Sequence, residues 1–164
     1  MRLSSRALAV IVALALLAAG RLAIVTRQYV AGIEALQRVE FRVTGVQWDS
    51  PERLVVGLTV VNDAPLDVSV ESVRLNAFIA ARADPTQGRL GTTANRDNPY
   101  SPLPVAARGS AQTTRVVTVL NPELVADTDR ARQPLRFEGE ASLMLPFGTR
   151  TFDRRLSLQW SPQP

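Results

Sequence analysis

Residues 53–65 read RLVVGLTVVNDAP. Leu54, Val56, Leu58 and Val60 share one face of an extended strand, because side chains alternate with period two. Val55 and Val61 make the opposite face apolar near its ends, with Gly57 and Thr59 between them. A strand apolar on one face and half-apolar on the other belongs inside a sheet, against a core. It stops in Asn62-Asp63-Ala64-Pro65, where Asn and Asp accept turn geometry and Pro forbids continuation. These four residues read as the turn that ends the strand, and not as a site.

The same period holds on both sides of this stretch. Phe41–Trp48 is a first strand, closed by Asp49-Ser50-Pro51-Glu52. Val68–Ala80 is a third; its apolar set changes parity from Val68 and Val70 to Val73, Leu75, Ala77 and Ile79, the mark of a bulge or a corner. A short strand at Arg89–Thr93 interrupts a Gly-, Thr- and Asn-rich segment, and Pro99–Pro104 is at best an edge segment. Ala111–Leu120 is a strong strand. Asn121-Pro122-Glu123 is a helix-start signal, with Asn as cap, Pro at the first helical position and Glu at the positive end, for a short turn through Ala126. Leu135–Phe147 and Thr151–Trp160 alternate about the turn Pro146–Thr149 and form the clearest hairpin. Six or seven strands with Pro-rich connections predict an all-β domain: an antiparallel, two-sheet β-sandwich of fibronectin-III or immunoglobulin-like type. With no Cys, a true immunoglobulin domain with its inter-sheet disulfide is excluded.

Before residue 40 the pattern is different. Met1–Arg6 is a basic lead to the apolar run Ala7–Gly20, ALAVIVALALLAAG. A basic start, a short apolar stretch and small residues at 18–20 match a cleaved secretory signal. Extended to Val25 with Arg21 snorkelling, the nineteen residues of Ala7–Val25 span ~28 Å as a helix, close to the hydrocarbon thickness of a bilayer. Val25, Tyr29, Ile33, Leu36 and Val39 then recur every three or four residues, an amphipathic continuation that favours a retained anchor. The expected organisation is a membrane anchor (1–25), a juxtamembrane helical stalk (26–39) and a β domain (40–164). The N-terminus is expected in the cytoplasm and the β domain outside it; cleavage would instead give a secreted or periplasmic product. Arg21, Arg27 and Tyr29 are the expected membrane-interface residues, through headgroup contact and the aromatic-belt tendency.

Composition excludes more than it proposes. All nineteen basic residues are Arg, and there is no Lys, His or Cys. That removes Schiff-base and Walker lysines, the usual general base and metal ligand, and thiolate chemistry. The net charge of +4 lies wholly in residues 1–33, while residues 34–164 are balanced. A charge-balanced domain lacks the footprint of a nucleic-acid binder, so no nucleic-acid partner is expected.

Four stretches carry a resemblance to a known family: LVVGLTVVNDAP (Leu54–Pro65), VESVRLNAFIA (Val70–Ala80), LPVAARGSAQTTRVVTV (Leu103–Val119) and FEGEASLMLPFGTRTFDRRLSL (Phe137–Leu158). Their order resembles the group-2 late embryogenesis abundant (LEA type 2) family, the WHy domain. The family's Asn-Pro stands here as Asn62-Asp63-Ala64-Pro65, with two residues inserted. The resemblance implies a fibronectin-III-like sandwich, no enzymatic activity, a link to desiccation or other stress, and in some relatives lipid binding. It brings no catalytic residues.

Other candidates have plainer readings. Glu138 and Glu140 share a strand face with Arg-bearing neighbours and read as solvated. Glu123, Asp127 and Asp129 lack the spacing of a calcium loop. Asp63 and Asp67 suit turns, Ser110, Thr113 and Thr114 have no His to activate them, and Arg154 and Arg155 point to opposite faces. Trp48 and Trp160 read as core or sheet-end packing. No catalytic, cofactor or metal residues are therefore expected, and the partners expected are membrane lipid, through the N-terminal helix, and a protein in the membrane or envelope. Three functions fit: a non-enzymatic membrane-anchored protein that binds or shields envelope components under stress, an accessory subunit of a membrane complex, and an apolar-ligand or lipid carrier. Ala15, Ala18, Ala19 and Gly20 would suit the second by permitting close helix approach.

Overall fold

In the computed structural model, residues 5–81, 88–125, 129–146 and 151–162 are described. One helix, α1 (Ser5–Gln37), precedes eight strands: β1 (Val39–Ser50), β2 (Arg53–Asn62), β3 (Val68–Ile79), β4 (Arg89–Thr93), β5 (Leu103–Val105), β6 (Gly109–Val119), β7 (Leu135–Met144) and β8 (Thr151–Trp160). β2 is the interior strand its sequence predicts. It pairs with β1 on one edge, from Val39 opposite Asn62 to Ser50 opposite Arg53. On the other edge it pairs with β6, from Arg53 opposite Thr118 to Asn62 opposite Gly109. Leu54, Val56, Leu58 and Val60 are fully buried.

The strands follow the order β1-β2-β6-β4-β3-β7-β8, all antiparallel, with β5 added to the start of β3. This is one curled sheet, a half-barrel, and not two separate sheets. The bridge is β4. Gly91–Thr93 pair with β6, and the same short strand pairs with Asn76–Phe78 of β3. A side chain at Gly91 would place its Cβ 2.3 Å from the carbonyl oxygen of Thr118, so the close seating of β4 on β6 requires glycine. The expectation of an antiparallel all-β domain behind an N-terminal helix holds, as does the short strand at Arg89–Thr93.

The parity change expected in β3 is a bulge. The register with β7 shifts between Val70 and Ser72, leaving Glu71 as the extra residue. Val68 and Val70 face the core before it, and Val73, Leu75 and Ala77 after it. The helix expected after Asn121 is only a 3-10 turn, Pro122–Leu124, and Asn121 does not cap it. The Asn121 carboxamide donates instead to the Arg89 carbonyl at 2.9 Å, a tertiary partner that outcompetes the local cap. Ala126 and Asp127, and the tip of the last hairpin at 147–150, lie outside the described residues.

One end of the half-barrel is fixed by Asn62, which is completely buried. Its Nδ2 donates to the carbonyls of Leu66 (2.8 Å), Ala106 (3.1 Å) and Val105 (3.3 Å), and its Oδ1 accepts from Ala64 N–H at 3.1 Å. The β2–β3 and β5–β6 connections thus close on one side chain. Arg108, in the left-handed region at φ 53°, donates its N–H to Ala64 O at 2.9 Å and adds a further tie between the two loops. Asn62→Ala leaves buried carbonyls without donors and should cost about 3 kcal/mol or more, whereas Asp63→Ala, at an exposed position, should stay within about 0.5 kcal/mol. Urea unfolding of the full chain, followed by Trp48 and Trp160 fluorescence, checks the pair; equal midpoints would refute the role given to Asn62.

Candidate functional site

α1 is long and apolar enough to cross a membrane. Its large apolar residues from Val10 to Val30, including Leu16, Leu17, Leu22 and Ile24, are all half-exposed or more. Arg21, Arg27 and Tyr29 are also exposed on the helix. Arg21 lies within the apolar run, and Arg27 and Tyr29 lie between that run and the sheet. Toward the C-terminus the helix changes character. Gly32, Ala35 and Leu36 are buried, and Ala35 and Leu36 belong to the same core as β1, β2 and β7.

A helix end exposes carbonyls with no partner of their own, and a cation there also offsets the helix dipole. Arg154, on β8, does both. Its Nη1 donates to Leu36 O at 3.0 Å, to Gln37 O at 3.4 Å and to Val39 O. Arg38 is the single residue between helix and strand, and its carbonyl accepts from Asp63 N–H at 3.5 Å. Beside this junction lies an open groove of about 480 Å³, with Ile33, Leu36, Leu143 and Phe152 as its apolar lining and Arg154 and Arg155 at its rim.

A second, polar cleft of about 280 Å³ lies where β3 runs between β5 and β4. The bulge turns Glu71 inward, and only 9% of it is exposed. Its Oε2 accepts from the Tyr100 hydroxyl, while Oε1 is buried with no partner. Across the cleft, Arg115 occupies an inward position of β6, in line with Val117 and Val119, and is also 9% exposed. Its Nη1 donates to Thr113 Oγ1 at 3.0 Å and Thr114 O at 2.9 Å. Burial lowers the Arg115 pKa, and the hydrogen bond to Glu71 raises that of Tyr100.

No sequence signal marked Arg154, because its partners lie more than a hundred residues away. Glu71 carried one usable signal, its place at the parity change. The remaining candidates have structural roles. Trp48 donates to the Arg130 carbonyl at 3.0 Å with the Arg130 guanidinium 5.2 Å above its ring, and Trp160 packs against the core. Asp67 accepts from Ala107 N–H at 2.8 Å. Glu140 stands in register between Arg74 and Arg155 on the outer face, and Glu138 meets Arg136 at 3.3 Å. Glu123 and Asp129 lie at separate 3-10 turns.

No family model matches the chain, and no curated protein matches it. Several solved structures are similar in part. A protein from Archaeoglobus fulgidus aligns at a TM-score of 0.42 and 6% identity, over 77% of this chain and 96% of its own. The X-ray structure of a Northeast Structural Genomics Consortium target aligns at 0.41 and 15%, over 76% and 85%. The ASH/PapD-like domain of human CEP192 aligns at 0.37 and 13%, over 77% and 85%. At these scores and identities they carry no information on activity.

Two outcomes follow from the geometry. Arg154→Gln should leave the β domain folded but speed amide exchange at Arg38 to Phe41, where the chain passes from helix to β1; unchanged exchange there would remove the locking role. Tyr100 is held protonated by Glu71, so its folded pKa lies above the ordinary value. Its stabilising contribution is complete below the unfolded tyrosine pKa of about 10 and is lost as pH rises through the folded value. In a Tyr29→Phe background only Tyr100 titrates, and Glu71→Gln should move its ultraviolet titration midpoint down. An unmoved midpoint contradicts the Tyr100–Glu71 bond.

Proposed function

We propose that this is a non-enzymatic, single-pass membrane protein that holds a LEA type 2-like β domain close against the extracytoplasmic face of a membrane, where it binds or shields envelope components. The observation that carries this reading is the course of α1 into β1 through the single residue Arg38, with an exposed apolar helix at one end and, at the other, a last turn capped by Arg154 whose Ala35 and Leu36 are buried in the core. Cleavage after Gly20 would leave Leu22, Ile24, Val25, Tyr29 and Val30 as an apolar helix in water, which favours retention. Within this reading the curled sheet is a modified fibronectin-III-like sandwich. In it β1, β2 and β6 would make one layer and β3, β7 and β8 the other, a division that the pairing of β4 with both β6 and β3 supports only as a joined pair.

A carrier that opens its interior around an acyl chain is disfavoured. The interior is occupied by Phe137, Leu54, Leu58, Leu75, Leu90 and Leu135, all fully buried. The accessory-subunit reading keeps one supporting observation, the Ala15–Gly20 stretch lying exposed on the helix.

The mature N-terminus and membrane fractionation test the anchor. An intact N-terminus in a carbonate-resistant membrane fraction is the expected result, and a soluble product beginning at Arg21 or Leu22 would overturn it. For the activity, full-length protein reconstituted in vesicles should reduce leakage of an entrapped dye on drying and rehydration. Unreduced leakage, together with no binding to envelope lipid or protein, would end the protective reading. A stoichiometric partner that co-purifies in mild detergent would favour the accessory subunit.

A further inference from the structure

Past Val25 the helix still shows large apolar side chains. Tyr29, Val30 and Ile33 expose 54%, 50% and 37% of their surface, so the sheet does not cover them. At ~1.5 Å per residue, Ile33 stands about 12 Å beyond Val25, outside a headgroup layer of about 5–8 Å. With the span ending at Val25, lipid does not cover it either. Contiguous apolar surface left in water marks an interaction site.

The pattern says which face is left over. Ala19, Leu22, Thr26, Tyr29, Ile33 and Leu36 recur at alternating steps of three and four, the spacing of a seam between two helices, with Ala19 at a heptad a position. From Ala9 to Gln37 the charged residues are Arg21, Arg27 and Glu34. All three fall at b or c, away from the seam and from the e and g positions that flank it. Buried Gly32 and Ala35 mark the side turned to the sheet, and Leu36 is where sheet and seam meet. The groove beside the junction continues the seam. Its helix lining is Ile33, Leu36 and Gln37, at a, d and e, and Leu143 and Phe152 line it from the sheet.

We infer that the seam and its groove seat the α1 of a second copy of this chain, giving a parallel two-helix stalk. The inference rests on the anchored reading, because two copies held in one membrane with one topology present the same seam at the same height. In register, uncharged side chains then face their own counterparts and no like charges meet across the seam. A period of about 3.5 residues gives the shallow left-handed crossing common to parallel helices in water and in bilayers. The stretch past Val25 adds a hydrophobic gain that a lipid-covered stretch lacks. Because the sheet packs beside the seam and not on it, a two-fold axis along the stalk sets the two β domains on opposite sides. An anionic lipid suits the groove less well. The rim carries Arg155 and Arg154, whose Nη1 is spent on the helix-end carbonyls, but also Asp153, which accepts from the Ser142 hydroxyl at 2.6 Å.

The chain has no Cys, so single-cysteine variants of the full-length protein in membranes test the seam directly. A disulfide needs Cα atoms within about 7 Å, which a parallel pair allows at Thr26 and Ile33 and forbids at Gln28 and Glu34. Under mild oxidation Thr26→Cys and Ile33→Cys should run as dimers on a non-reducing gel, while Gln28→Cys and Glu34→Cys stay monomeric. The dimers should persist when the membranes are diluted by fusion with excess lipid. In the Thr26→Cys background, Ile33→Asp should abolish the crosslink and leave the Trp48 and Trp160 fluorescence of the β domain unchanged. Equal yields at seam and control positions, no dimer at any position, or loss of the dimer on dilution would overturn the inference. So would an undiminished crosslink with Ile33→Asp, which removes the groove from it. A seam adduct with a different protein in place of the dimer also overturns it and favours the accessory subunit. If Ile33→Asp fails to fold, the contrast between seam and control positions decides alone. Carbonate extraction of the same samples separates the two failures: a monomer in the resistant fraction overturns only the second copy, whereas a soluble chain overturns the anchor as well.

Discussion

The structure depends on a single buried carboxamide. Asn62 ends β2 opposite both Val39 of β1 and Gly109 of β6, so its position fixes three strands at once. A side chain with no charge and both hydrogen-bonding types can satisfy carbonyls and an N–H together, which neither Asp nor Leu of the same size can do. Removing it would leave the loop carbonyls dry and unpaired, the expensive case for a hydrogen bond. This explains why the strand does not end in a flexible turn. The sharp stop in the sequence at Asn62–Pro65 is the outward sign of a buried network.

The Asn62 end of the half-barrel is also where the helix arrives. Arg38 touches Asp63 through the backbone, and Arg154 closes the last helical carbonyls from the opposite edge of the sheet. β1 and β8, the two edge strands of the curled sheet, are therefore joined through the helix end rather than through a ladder of their own. Ala35 and Leu36 in the core and the Arg154 cap tie the last turn of α1 to the sheet.

Much of this was legible in the sequence, and the exceptions have physical causes. The alternation of Leu54–Val60 placed β2 inside a sheet, and the hairpin at Leu135–Trp160 was readable because both strands keep one parity. The parity change between Val70 and Val73 announced the bulge. The sequence pointed to two sheets where the described strands form one curled sheet, because a five-residue strand, β4, pairs with both β6 and β3 and joins them. Asn121 misled for a related reason: a local cap signal loses when a distant carbonyl offers a better partner. Arg115 was invisible and Arg154 was read only for its face, since an arginine on an alternating strand gives no sign of what lies across the sheet.

Arg115 also breaks the rule that made the rest legible. It stands at a position that Val117 and Val119 mark as core, and Glu71 is turned inward by a residue inserted for no benefit to the ladder. Replacing either with an apolar residue would suit the pattern and remove a desolvation cost. A fold that needed only stability has simpler choices at both places. Local violations of an otherwise consistent pattern concentrate where a protein does something other than fold. In this chain two such departures, Glu71 and Arg115, line the same cleft, each holding hydrogen bonds to its own neighbours: Glu71 from Tyr100, Arg115 to Thr113 and Thr114.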